Sequence, residues 1–434
     1  MTHSATDRTA LLVTSVGQSG EGSQPTDGEH RATTKQFGSR FALSGLVTLA
    51  FAVAIVVFSV MYMDRLPDDP ERASLKILRK TPLIDGHIDL PDMVRRYHRN
   101  NLSDIDMRER MRAQVDIPRL RDGRVGGFFW SVYVDCEDSG SDFMKPTDRV
   151  RDTLEQIDVA RLLMEQYSDT FELVTSTAEI NAAIRIGKIA SLIGVEGGHQ
   201  LGNSIAVLRQ YYLLGARYMT LTHACNNAFA DSAGIFEPIP PTHGGLSPLG
   251  RELIHEMNRM GMLVDLSHTS DETAVQALQL SRAPVIWSHS SARAVHDVPR
   301  NVPDYILKMI GTGKDQKDGV VMVNLLPAFL APNGTAGISN AADHVEHIGN
   351  VAGRGHVGLG SDFDGADAFP EGLEDISKYP ALFAELIRRG WSRAELDGLA
   401  SRNFLRVFQG AEAVARQMSS ESPSYVLYDK RHKM

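Results

Sequence analysis

His87 and Asp89 stand two apart in Leu-Ile-Asp-Gly-His-Ile-Asp-Leu-Pro at 83–91. On a strand such residues leave the same face. An imidazole beside a carboxylate makes half a cup for a divalent ion. A lone His-x-Asp is more often a satisfied strand end. Here five later apolar runs finish in the same residue types: Glu196 after 189–195, His223 after 218–222, His268 after 263–267, His289 after 285–288 and Asp362 after 357–361. A carboxylate that bridges two divalent ions ~3.5–4 Å apart, with imidazoles around it, lets the ions hold one hydroxide and polarise a carbonyl. Glu196 suits the bridge, because it has two oxygens and Gly197 and Gly198 let the backbone approach. A hydrolase also needs a proton carrier and a donor facing the developing oxyanion. Five of these seven residues can serve as ligands, which leaves two for those roles. Cys136 and Cys225 are the only cysteines, too few for a four-thiolate zinc site, so the metal donors are His, Asp and Glu.

These residues need strands that end on one face. From about Lys80 to Gln409 short β-rich runs alternate with helical patterns. The expected strands are 83–89, 127–134, 190–196, 217–223, 262–268, 284–289, 319–325 and 356–362, and the expected helices between them are 150–167, 204–214, 248–260, 271–280 and 341–352. Eight strands in βα alternation point to a (β/α)8 TIM-like barrel, whose active sites sit where strands end. A doubly wound open sheet is the structural alternative. Residues 381–389 and 393–400 also read as helical. No internal repeat, P-loop or Gly-rich phosphate fingerprint occurs. The 434 residues carry a net charge of −9 with 42% hydrophobic content, ordinary for a globular chain. With no basic patch, nucleic acid is not an expected partner.

The expected domains are a disordered cytoplasmic tail over 1–40, a transmembrane signal anchor over 41–63, a stalk over 64–79, the catalytic barrel over 80–415 and a C-terminal tail over 416–434. The run 41–63 carries no charge, a length that spans a bilayer as a helix. Lys35 and Arg40 before it and acidic residues after it favour a type II orientation. The catalytic domain is then lumenal or extracellular, and the membrane is a partner through the N-terminal helix. That side is oxidising, so the two cysteines are able to pair. It also suits glycosylation at the sequons of Asn101 and Asn333.

The chain resembles the membrane (renal) dipeptidase family of zinc peptidases over roughly residues 80–408. The resemblance is carried by Phe-Trp-Ser-Val-Tyr at 129–133, Val-Glu-Gly-Gly at 195–198, Leu-Thr-His-Ala-Cys-Asn at 221–226 and Asp-Leu-Ser-His at 265–268. Ser-His-Ser-Ser-Ala at 288–292, Arg-Asn-Val-Pro-Asp at 300–304, Gly-Leu-Gly-Ser-Asp-Phe-Asp-Gly at 358–365 and Asn-Phe-Leu-Arg-Val at 403–407 continue it, along with the segment at 83–89. It implies two Zn2+ per chain: His87 and Asp89 on one, His268 and His289 on the other, and Glu196 bridging. It implies that His223 contacts substrate and steadies the oxyanion, that Asp362 carries the proton to the leaving amine, and that Arg300 holds the substrate's terminal carboxylate. A planar guanidinium binds a carboxylate through two parallel hydrogen bonds. Cys136 and Cys225 fall where the family places a disulfide. The implied activity is zinc-dependent hydrolysis of dipeptides by attack of a metal-bridging hydroxide on the peptide carbonyl. A homodimer is left open.

Other residues read more blandly. Asp265 is strand-end support, Asp364 belongs to loop structure, and His199, His243 and His296 are surface or rim residues. On residue type alone Arg300 could be a rim salt bridge. Where mammalian relatives carry tyrosines, this chain has Asn-Leu-Leu-Pro-Ala-Phe-Leu at 324–330, which bears on substrate range. The rivals are another binuclear amidohydrolase acting on a non-peptide amide or ester, and a catalytically silent surface receptor that keeps the fold.

Overall fold

The computed structural model describes residues 43–56 and 65–431. The expected disordered tail over 1–40 lies outside the described residues, as do 41–42, 57–64 and 432–434. The chain divides into two units, Met1–Arg65 and Leu66–Met434.

In the first unit residues 43–56 are helical. Among the described residues no helix is long and apolar enough to cross a membrane. This corrects the transmembrane anchor over 41–63. The type II topology, the lumenal or extracellular placement and the membrane as partner fall with it. Absence of charge is necessary for a span but does not by itself make one, and Ser44, Gly45 and Thr48 lower the apolar content of the described helical residues.

The second unit is built on strands β1 (Leu83–Ile88), β2 (Val125–Val132), β3 (Phe171–Leu173), β4 (Ile189–Val195), β5 (Ala216–Thr220), β6 (Leu263–Asp265), β7 (Val285–Trp287), β8 (Gly319–Val323) and β9 (Val357–Leu359). Neighbouring strands are parallel throughout. The ring runs β1-β2-β4-β5-β6-β7-β8-β9, and β9 pairs back on β1. The eight ring strands are those expected from the sequence. The ninth, β3, pairs beside the start of β4 and is not part of the ring. Its Phe-Glu-Leu is too short to show a pattern.

Helices cover the outer faces, so the strands are buried on both sides and read as unbroken apolar runs. The helix Pro248–Met260 shows how the local sequence sets an element's ends. The Ser247 hydroxyl accepts from the Gly250 N–H, proline opens the first turn, and Gly261 at φ 78° closes it. Inside the ring, Ile84, Phe129, Leu192, Tyr218, Leu263, Ile286, Val320 and Met322 form one cluster with Phe404, Val407 and Phe408 of the helix Asn403–Gln417. One substitution-sensitive contact sits there. A Cβ at Gly194 would fall inside the Tyr218 ring, so glycine gives that phenol its place across the barrel.

Within the stretch read as a stalk, Pro70–Lys80 is a helix that buries Ala73, Ser74, Ile77 and Leu78 and packs on the helix Tyr379–Arg388. Within the C-terminal tail, Tyr428 is buried and its hydroxyl donates to the Asp142 carbonyl at 2.8 Å.

Candidate metal centre

His87 is the last but one residue of β1, and the other six chemistry-bearing residues lie one to three positions beyond their strand ends, in the loops over the C-terminal mouth. Two buried carboxylates inside the strands pin these loops. Asp85 of β1 accepts from the His87 and Ser361 amides at 3.0 and 2.9 Å and from the Ser361 hydroxyl at 2.7 Å. It also accepts from the Tyr379 hydroxyl. Asp265 of β6 accepts from the Ser267 and Ser288 amides at 3.1 and 2.8 Å and from the Thr220 and Ser288 hydroxyls at 2.6 Å each. One carboxylate thus ties the end of β1 at His87 to the Asp362 loop, and the other ties the His268 loop to the His289 loop. Residues 268 and 362 both sit at φ 66°, a costly conformation for non-glycine residues that such anchoring sustains.

Glu196 is the hub. Its Oε1 lies 3.6 Å from His87 Nε2, 3.7 Å from His223 Nε2, 3.2 Å from His268 Nε2 and 3.3 Å from His289 Nε2. Asp89 Oδ1 is 3.3 Å from His87 Nε2. Asp362 lies beside Asp89 and accepts from Asn324 Nδ2 at 2.8 Å. The donors form three overlapping groups, each with ligand atoms within 4.8 Å of one another: His87, Glu196 and His289; Glu196, His223 and His268; His87, Asp89 and Asp362. All seven residues foreseen at strand ends therefore meet in one cluster.

Hydrogen bonds select the imidazole tautomers. The Ser288 hydroxyl donates to Asp265, so it accepts from His289 Nδ1–H at 2.8 Å. That leaves the lone pair of His289 on Nε2, aimed at Glu196 and at His268 Nε2 2.9 Å away. His87 Nδ1 faces the Tyr218 hydroxyl at 2.8 Å, again turning Nε2 to the centre. Burial holds His223, His268 and His289 well below the ordinary imidazole range, so they are neutral. Burial also lowers His87, but the charges of Tyr218, Glu196 and Asp89 outweigh it and push that group well above its usual value. Its surroundings demand a positive charge. Burial likewise raises the carboxyl of Glu196, and raises Asp362 to about 6 with help from Asp89.

This donor set fits divalent metal. His87 Nε2 and Asp89 Oδ1, which face each other at the centre, are buried without hydrogen-bond partners among the described residues, a cost that cations there would remove. Neutral imidazoles and carboxylates are the ligands of a binuclear zinc site.

Arg300 is 3% exposed and makes no ion pair with a carboxylate among the described residues, contrary to the rim salt-bridge alternative. Its Nη atoms donate to the His289 carbonyl at 3.1 Å and the Ser290 hydroxyl at 3.3 Å. Its guanidinium lies 5.4 Å from the centroid of the Phe329 ring. Burial lowers it to about 10, so it stays charged at neutral pH.

Cys136 and Cys225 are joined in a disulfide. Asn101 and Asn333 are exposed in turns, Asn101 accepting from the Ser103 amide at 3.3 Å. His199, read as a rim residue, is buried beside His223 with ring centroids 6.5 Å apart. His243 is half-buried and bonded to the Asn227 carbonyl. The sequence reading missed Asp85, Tyr218, Ser288 and Asn324 as partners of the site residues. Ser288, adjacent to His289, and Asp85, two residues before His87 in the opening motif, carried a sequence signal.

Residues 71–422 match the model of Membrane dipeptidase (Peptidase family M19). An uncharacterized dipeptidase of Schizosaccharomyces pombe is 47% identical over 351 residues, covering 79% of this chain and 84% of that protein. Dipeptidase 3 of Rattus norvegicus is 44% identical over 359 residues, 82% of this chain and 71% of that one. A metallo peptidase from Rhodobacter sphaeroides, liganded with a phosphinate mimic of the dipeptide L-Ala-D-Ala, is 25% identical and superposes with a TM-score of 0.66 over 76% of this chain and 99% of that chain. By the extent of that match and the identity to these relatives, the chain belongs to the membrane dipeptidase family, peptidase family M19.

Proposed function

We propose that the Glu196-centred cluster carries out metal-assisted hydrolysis of dipeptides with the following division of labour. The chain is a metallo-dipeptidase. The observation that carries this reading is the hub itself, one buried carboxylate oxygen ringed by four imidazole Nε2 atoms. In our assignment His87 and Asp89 would hold one zinc, His268 and His289 the other, and Glu196 would contact both. Zinc in such a pair acidifies a water and polarises a carbonyl.

The remaining roles fall to the chain's own groups. Arg300, a buried cation without a carboxylate partner, receives the substrate's terminal carboxylate and fixes the peptide's length. The bound phosphinate mimic in the Rhodobacter sphaeroides relative supports a dipeptide of that size. His223, neutral through burial, has a ring nitrogen available to donate to the oxygen that gains charge. Asp362, raised to about 6, sits between proton acceptor and donor at neutral pH. It takes the proton from the attacking water and passes it to the departing amine. Asn324 keeps one of its oxygens fixed for that exchange.

The test is Asp362→Asn, assayed for bound metal and for dipeptide turnover. Retained metal with kcat reduced by about 10²–10⁴ is the expected result. Turnover within a fewfold of wild type would overturn Asp362 as proton carrier. Metal bound by the wild-type chain with no turnover of any dipeptide would favour a non-peptide amidohydrolase.

A further inference from the structure

The disulfide and His199 form a second cluster of metal-ligating types beside the catalytic one. One ligand atom from each of Cys136, His199 and Cys225 lies within 4.8 Å of the other two. His199 Nε2 donates to the Val134 carbonyl at 2.7 Å, so the lone pair of the neutral ring is on Nδ1. That Nδ1 is buried with no hydrogen-bond partner among the described residues. The ring is 3% exposed, and burial holds it down to about 4, so it is neutral across the physiological range. The two cysteines are only half-buried, which leaves the disulfide open to a small reductant.

We propose that reduction of the Cys136–Cys225 disulfide creates a Cys2His site for a thiophilic ion such as Zn2+ or Cd2+, separate from the Glu196-centred pair. A dithiol supplies two electrons and two protons. It becomes a disulfide while the protein disulfide becomes two thiols. Each thiol then loses its proton on binding the ion, so one divalent ion displaces two protons, and His199 supplies the third, neutral donor. The Cα atoms stand 6.1 Å apart, close enough for two thiolates to share one tetrahedral ion whose Zn–S bonds are ~2.3 Å. Two thiolates and one imidazole leave a fourth position for water. The site ties Tyr133–Cys136 to the His223–Cys225 loop. Tyr133 and His223 are in ring contact at 4.7 Å, so the ion would take over from the disulfide in holding this wall of the catalytic mouth.

The experiment uses the full chain with its catalytic zinc in place. A phosphine, oxidised to the phosphine oxide with oxygen from water, reduces the disulfide without chelating metal and is then removed. Cd2+ is titrated into oxidised and reduced protein, with thiolate-to-metal charge transfer read in the ultraviolet and total metal counted by mass spectrometry. The expected result is one further ion per reduced chain, with the charge-transfer band and loss of thiol reactivity towards a disulfide reagent. Oxidised protein should show none of these. His199→Gln should weaken the further ion by at least the about tenfold that even outer partners of a ligand cost. Equal metal in both forms, or thiols that stay reactive in the presence of Cd2+, overturns the proposal. So does a Cd2+ affinity unchanged in His199→Gln, because the ion is then held by the thiolates alone. A reduced chain that loses its fold or catalytic metal also counts against it, since the site needs both loops in place.

Discussion

Ser288→Ala tests whether the hydrogen-bond relay behind His289 sets metal affinity. The Ser288 hydroxyl accepts from His289 Nδ1–H at 2.8 Å and donates to Asp265 at 2.6 Å. Alanine removes both bonds and leaves the Nδ1–H facing a methyl group in a fully buried place. Asp265 keeps the Thr220 hydroxyl and the two amides, so the loops stay pinned. The lost bond to a carboxylate costs about 1.5–3 kcal/mol of stability. The larger signal is in metal binding, because nothing then selects the tautomer with its lone pair on Nε2. Loss of such a partner weakens metal by about 10–100-fold, or about 1.4–2.7 kcal/mol. The assay is zinc competition against a chromophoric chelator at equilibrium, with the thermal melt of the metal-free protein as control. One of the two sites should weaken and the other hold. Both zinc affinities within twofold of wild type would refute the relay.

Tyr218→Phe removes the group facing His87 Nδ1 and should weaken the opposite site by a similar about 10–100-fold in the same competition assay. Gly194→Ala puts a methyl into the Tyr218 ring and should cost about 1–3 kcal/mol or more, read as a lower melting temperature together with weaker zinc. Arg300→Met should raise KM for a free dipeptide by about thirty- to a thousandfold, or about 2–4 kcal/mol, and should leave a C-terminally amidated dipeptide little changed. His344 accepts from the Ala292 amide on Nδ1 and bonds the Leu330 carbonyl through Nε2. Burial lowers it from 6.5 to about 4. A base depressed in the folded state contributes stability present in full above its unfolded pKa and lost as pH falls through the folded one. About 2.5 pH units correspond to roughly 3 kcal/mol. Denaturant melts between about pH 7 and pH 4 should therefore fall less steeply in His344→Gln than in wild type; parallel slopes would contradict this.

The barrel was legible because parallel strands covered on both faces leave apolar runs that end abruptly in polar residues. Glu196 follows β4 directly and His289 lies two residues past Trp287, so run ends located the donors to within a turn. The hydrogen-bond partners were hidden for a geometric reason. Tyr218 reaches His87 across 131 residues, and Asn324 reaches Asp362 across 38. Which strands neighbour each other is set by ring closure, not by any local pattern. His199 was misread because a histidine after two glycines looks like a loop tip, whereas the 198–201 turn folds it inward. The membrane span was misread because absence of charge alone does not make a helix long and apolar enough to cross a bilayer, and among the described residues none is.

The most direct measurement is hydrolysis of an unblocked dipeptide by the chain stripped with a chelator and then titrated with zinc, beside Glu196→Gln. Stripping should abolish turnover, zinc should restore it with saturation at two ions per chain, and the variant should lose both tight zinc binding and turnover. Turnover that survives complete removal of metal, or a Glu196→Gln chain that binds zinc and works as wild type does, would contradict the metal-assisted reading.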